Sequence, residues 1–255
     1  MGTIGILTCE ILELEFAHLL NNDEDISCVT VLENNRSAGI LKALESNGSG
    51  NTNQISVLES FAPDPANRME ALVQVLELGL HSHKKRLQEG LVKAACKMAA
   101  KVDTLMLGYG LCGNALEKPD EVFADVGVPF FIPMDEDHPV DDCVGLIIGG
   151  RRAYYEEQCK VAGTFFMIPG WTRHWRRMFE QEFGNLSVDM ARRLFKNYER
   201  SLLIPTPIMS KETMQQNSAE FNEMFGFRED SRQGTLDILT RTWDSAKAAL
   251  NTGTQ

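Results

Sequence analysis

Short apolar runs that stop at a glycine, a proline or a cysteine recur along the chain, and stretches with helical spacing separate them. This alternation constrains the fold more than any single motif. Ile4–Cys9, Ile26–Leu32, Leu105–Tyr109, Gly127–Pro133, Gly163–Trp171 and Ser201–Ile204 read as strands. Between them apolar residues return every three or four positions, as Ile11, Leu12, Leu14, Phe16, Leu19 and Leu20 do within Glu10–Leu20. Further helices are expected over Ala115–Phe123, Val144–Tyr155, Ser187–Tyr198, Lys211–Phe225 and Leu236–Leu250, with Gly149 and Gly150 interrupting the second. A loop over Ser46–Gln54 and a short strand Ile55–Leu58 precede a long helical stretch, Asn67–Ala100, broken at Gly79 or Gly90. Strands alternating with helices build a mostly parallel sheet covered on both faces. The expected fold is α/β, Rossmann-like and three-layered, with a helical C-terminal part. It takes residues 1–255 as one domain or as two closely packed lobes, about 1–100 and 101–250, with a disordered tail at 251–255.

Charge and cysteine usage narrow the class. A net charge of −11 leaves no basic face for nucleic acid. No apolar run approaches the length of a membrane span, and Ile4–Cys9 reads as a first strand with no basic signal region before it. The six cysteines of a chain of this kind point to free thiols or metal ligands in a reducing, cytoplasmic compartment.

Three of those cysteines occupy equivalent places. Cys9 and Cys112 each follow a strand and precede a helix, and Cys143 follows Asp141 and Asp142, either of which suits an N-cap. All three are expected at the carboxyl edge of the sheet near helix N-termini, where a thiol tends toward thiolate. Three thiolates can hold Zn2+ with a fourth position open to histidine, water or substrate, or three irons of an iron–sulfur cluster. Catalysis by a cysteine without metal would need a base, with His138 and His83 as candidates and Asp142 as a further titratable group. Gly108, Gly110 and Gly113 form a turn that lets the backbone approach a ligand, with Tyr109 and Asn114 beside it. Cys28, Cys96 and Cys159 read as structural, and Arg173, Arg176 and Arg177 as a solvated helix face. The chain carries no Walker-type loop, no Gly-x-Gly-x-x-Gly and no His-Glu-x-x-His.

Taken together, Gly108–Asn114, Asp142 and Cys143 with Gly149, Gly163–Phe166 and Pro169–Trp171 resemble the domain of unknown function 1638 family. Cys9, Leu80 with His81, Leu203 with Ile204, and Phe221–Gly226 fit the same resemblance, which covers nearly the whole chain. It implies an anaerobic archaeal or bacterial protein encoded near corrinoid-dependent methyltransferases. It also implies that Cys9, Cys112 and Cys143 are recurrent cysteines and His81 a recurrent histidine. One departure stands out: where the family carries Pro-Arg, Pro133 is followed here by Met134 and an acidic stretch through Asp141. The resulting expectation is a metal centre on Cys9, Cys112 and Cys143 with His81, and a ligand crevice including Tyr109, Gly110, Gly113, Asn114 and Trp171. Such a protein would be a metal-dependent methyl or one-carbon transferase acting on a small molecule. The alternative is a non-catalytic module that binds a cofactor or assists a corrinoid methyltransferase.

Overall fold

A computed structural model of the chain describes residues 2–46, 51–77, 83–184 and 188–252. Its principal sheet contains β1 (Gly2–Cys9), β2 (Cys28–Leu32), β3 (Thr52–Ile55), β4 (Met69–Leu76), β5 (Thr104–Gly108) and β6 (Phe130–Phe131). The spatial order is β3-β2-β4-β1-β5-β6 and every neighbouring pair is parallel. Successive side chains of a strand point to opposite faces, and both faces are apolar here. Ile4, Ile6, Ala71, Val73 and Met106 enter one buried cluster, whereas Leu7, Leu72, Leu105 and Leu107 enter another. The first cluster is covered by α1 (Glu13–Asn21) and α2 (Ala38–Ser46), the second by α3 (Lys84–Ala99). The α/β class and the mostly parallel, helix-covered sheet expected from the alternation are what the chain adopts.

β4 corrects the long helix expected over Asn67–Ala100. It lies between β1 and β2, buried on both faces, so it shows a nearly continuous apolar run with no period-two alternation. Only its C-terminal part, α3, is helical. The helix expected over Ala115–Phe123 shrinks to α4 (Pro119–Val122), because left-handed backbone at Gly113 and Asn114 and the proline at the first helical position delay it.

A hairpin of β7 (Met134–Asp135) and β8 (His138–Pro139) leads into α5 (Cys143–Ile148) and α6 (Arg151–Lys160). A second parallel sheet follows, ordered β11-β10-β9, from β9 (Thr164–Met167), β10 (Arg200–Leu203) and β11 (Arg228–Ser231). β11 is an exposed Arg-Glu-Asp-Ser edge with no apolar run to announce it. Around it pack α7 (Pro169–Phe183), α8 (Val188–Leu194) and α9 (Lys211–Phe225). The closing helix α10 (Asp237–Thr252) returns to the first sheet, where Leu239, Trp243 and Ala246 complete the first cluster. Lys247 Nζ bonds Asp23 and Asp25 at 2.7 Å each, and the Trp243 indole donates to Asp23, which straps the chain's last helix to its first. α10 runs through Thr252; the rest of the expected tail lies outside the described residues. Among the described residues no helix is long and apolar enough to cross a membrane.

α1 carries a buried carboxyl group with a measurable consequence. Among the described residues neither of the two buried Glu15 carboxyl oxygens has a hydrogen-bond partner, and burial first, then the charge of Glu13, pushes the group from 4.5 up to about 8. The folded protein therefore holds this proton across a range in which the unfolded chain has released it. Stability falls as pH rises from about 4.5 to about 8, by up to about 1.4 kcal/mol per pH unit from this group. Glu15→Gln is expected to remove that slope, so its gain in urea midpoint over the parent grows between pH 5 and pH 8.

Candidate functional site

The topology puts a crevice between β1 and β5. The chain leaves β1 toward β2 on one side and leaves β5 toward β6 on the other, so the carboxyl ends of these adjacent strands form a switch point. Thr8 pairs with Gly108, which brings Cys9 and Tyr109 to the same level of the edge. The segment before α5 is stitched onto the turn after β5. Leu111 N–H donates to Val140 O at 2.8 Å and Cys112 N–H to Asp141 O at 2.9 Å. Gly110 has to be glycine at this seam, since a Cβ there would overlap the Val140 carbonyl oxygen. The turn then passes through three left-handed residues, Cys112 at φ 44°, Gly113 at φ 67° and Asn114 at φ 63°. A cysteine in that region stores backbone strain, and such strain is concentrated at functional positions. Asp142 caps α5 by accepting from Gly145 N–H at 2.8 Å and receives the Tyr154 hydroxyl at 3.3 Å. That cap fixes Cys143 in the first helical turn.

These elements enclose a cavity of about 450 Å³. Cys9, Cys112 and Cys143 line it together with Tyr109, Gly110, Gly113, Asp142 and Tyr154. β9 and α7 supply the opposite wall with Phe165, Phe166, Trp171 and Met178, and the loop before β10 adds Tyr198. All three cysteines are free thiols. Burial pushes the Cys9 thiol up to about 11, against opposing hydrogen bonds from the Ile11 and Leu12 amides. Burial, then the charges of Cys9 and Asp142, pushes Cys112 up to about 12. Cys143 also lies well above its ordinary value, from burial, Asp142 and the other two thiols, although the Trp171 indole donates to it. The thiolate tendency expected from helix N-termini is thus outweighed by desolvation, which disfavours charge more than the local amides favour it. The buried Tyr109 hydroxyl has no hydrogen-bond partner among the described residues.

The structure gathers most of the residues expected here and separates others. Asn114 lines an adjoining groove with Asp141, Arg151 and Gln158, which shares Gly113, Asp142 and Tyr154 with the cavity. His138 sits on β8 with Nδ1 2.9 Å from the Pro139 carbonyl, and it is absent from the cavity lining. His81 lies outside the described residues; His83 is the exposed residue that precedes α3. Cys28 is buried in β2, while Cys96 and Cys159 are exposed on α3 and α6 instead of packing inside. The basic stretch of α7 is only in part a solvated face: Arg176 is exposed and pairs with the exposed Glu220, whereas its neighbours reach inward to carboxylates. Arg177 reaches Glu10 at 2.6 Å, and His174 and Arg173 reach Glu13 at 2.8 and 3.5 Å. Glu10 and Glu13 are both buried in the turn that follows Cys9. Gly170 permits the approach, because a Cβ there would overlap the Ile11 carbonyl. Trp171 is held against the cavity by this seam. Tyr154, Phe166 and Met178 carry no local signal in the sequence; only tertiary packing brings them to the cavity.

As the side chains stand, no three His, Cys, Asp or Glu residues among the described residues are drawn together as a metal site. A family model described as a protein of unknown function (DUF1638) matches residues 75–243. The chain belongs to the DUF1638 family. No curated protein and no solved structure matches the chain. The DUF1638 match runs from the end of β4 to Trp243 in α10, so it takes in Cys112, Cys143 and the aromatic wall, whereas Cys9 precedes it.

Proposed function

We propose that the cavity at the β1–β5 switch point is the functional site, and that Cys9, Cys112 and Cys143 hold a thiophilic metal centre there, Zn2+ or an iron–sulfur cluster. One observation supports this most: three free thiols, carried by chain segments far apart in sequence, line a single crevice. Partly buried at one crevice, they resist ionisation, and each thiolate raises the proton affinity of the next. A soft cation reconciles them, since it replaces three protons with one shared positive charge and makes thiolate the favoured form. The donor set fits such a centre. Asp142 borders the cysteines, the Trp171 indole faces the Cys143 sulfur, and the Tyr109 hydroxyl is a buried donor lacking a partner among the described residues. The three sulfurs are not drawn together as the side chains stand, so seating the metal would require the cysteines to rearrange toward one another.

A metal with an open position acts as a Lewis acid or activates a thiol. The remaining space takes a small molecule, and methyl or one-carbon transfer linked to corrinoid proteins is the use we assign to it. In that role the chain's own groups orient the ligand: Asp142 and Tyr154 at the thiol end, Phe166 and Trp171 opposite. The protein purified without oxygen is expected to carry either one zinc per chain or iron with a brown colour. Elemental analysis that finds neither metal, and no uptake of either on reconstitution, overturns the proposal.

A further inference from the structure

We infer that the cavity's ligand is a small organic cation, an alkylated ammonium group, seated among Tyr154, Phe166, Phe165 and Trp171. This rests on the reading of the cavity as the functional site and adds the chemical class of what it binds.

The lining has two properties that together select such a group. First, it is rich in aromatic rings set at right angles. Tyr154 and Phe166 meet at 4.7 Å and 82°, and Phe165 and Trp171 at 5.6 Å and 89°, with Tyr198 a further ring beyond Phe165. Perpendicular pairs build walls on more than one side of the space, the arrangement in which a cation is held against ring faces. Second, the charge of the lining is of one sign. Among the described residues its charged members are Asp142 and Glu77, and no lysine, arginine or histidine lines it. Glu77 is already paired with Arg36 at 3.2 Å, whereas Asp142 enters no ion pair among the described residues. The nearby basic groups are committed elsewhere: Arg177 to Glu10, Arg173 and His174 to Glu13, and Arg151 to Asp141 in the adjoining groove. Among the described residues an anion entering would meet carboxylates and thiols, with no cationic side chain in the lining. A neutral apolar molecule would gain the rings but leave the acidic end unused. An alkylated ammonium presents apolar methyl or methylene surface to the rings and positive charge to the acidic end of the cavity at Asp142. The net charge of −11 favours its approach as well.

The test uses two probes of one shape, choline and its uncharged carbon isostere dimethylbutanol, titrated calorimetrically into the full-length protein. Metal content is measured on the same samples, and both metal-loaded and chelator-treated protein are titrated. Choline is expected to bind at least about ten-fold more tightly than the isostere. Trp171→Leu is expected to weaken choline by about ten-fold, whereas Trp171→Phe keeps most of the affinity, since both lose the indole N–H and only one loses the ring. Should Trp171→Leu fail to fold, Phe166→Leu serves in its place. Equal affinity for the two probes, or no choline binding by either form of the protein, overturns the inference. Choline binding by protein that takes up no metal upholds it and overturns the metal centre alone. Metal uptake without choline binding does the reverse.

Discussion

Arg200→Ala is expected to destabilise the protein by about 3–5 kcal/mol, because it breaks a buried ion pair from one side. The guanidinium is almost wholly buried in β10 and spends its donors on three elements. Nη1 pairs with Glu157 on α6 at 3.0 Å and with Asp230 on β11 at 3.3 Å, Nη2 donates to the Glu157 carbonyl at 2.9 Å, and Nε donates to Thr164 on β9 at 2.9 Å. Alanine would leave the buried Thr164 hydroxyl and the Glu157 carbonyl short of a partner. Lys160 and Arg232 still hold the Glu157 carboxylate, at 2.6 and 3.0 Å, so the loss falls toward the lower end of the range. Glu157 and Thr164 bracket the entry to β9, whose Phe165 and Phe166 form the aromatic wall. A loss of choline affinity should therefore accompany the loss of stability. Urea unfolding monitored by circular dichroism reads the first effect, and calorimetry the second.

Cys112→Ser is expected to abolish metal binding while leaving the metal-free fold intact. Serine is close in size to cysteine and tolerates the left-handed φ of 44° no worse. The turn itself is held by Gly110 against Val140 and by the two backbone hydrogen bonds to Val140 and Asp141. Loss of a ligand exceeds the loss of a mere supporting group, which already costs 10–100-fold, so the affinity is expected to fall by more than about 100-fold. Because metal binding free energy is folding free energy, the melting temperatures should separate only when metal is present. Chelator-treated parent and variant should melt together. Cys28→Ser is the control. Cys28 lies in β2 beside Thr30 and Asn53, away from the cavity, and its replacement should leave metal content unchanged.

How much of this was legible beforehand depended on the kind of signal. Strand–helix alternation is local, so β1, β2, β5, α9 and the Asp142 cap could be read from pattern and turn chemistry. β4 misled because a strand buried on both faces loses its alternation, and β11 because a polar edge strand has none to lose. The position of the cysteines at strand ends was readable from the same punctuation, and the sheet topology then brings Cys9, Cys112 and Cys143 to one crevice. Their protonation was not readable. Proximity to helix N-termini is visible in sequence, but burial, which outweighs it, is a tertiary quantity. Tyr154, Phe166 and Met178, on α6, β9 and α7, reach the cavity only through tertiary packing. Arg173 and Arg177 looked solvated because their partners, Glu13 and Glu10, lie more than 150 residues away in the chain.

The central claim, that three cysteines converge on one metal, is tested most directly by X-ray absorption at the metal edge of protein purified without oxygen. The account predicts a shell of sulfur scatterers at about 2.3 Å. Three of these are protein thiolates, and the shell loses one sulfur per centre, a whole sulfur for a single zinc and a fraction per iron for a cluster, in any of Cys9→Ser, Cys112→Ser or Cys143→Ser that still retains metal. A metal bound only by nitrogen and oxygen, or a sulfur shell unchanged in all three variants, would contradict it.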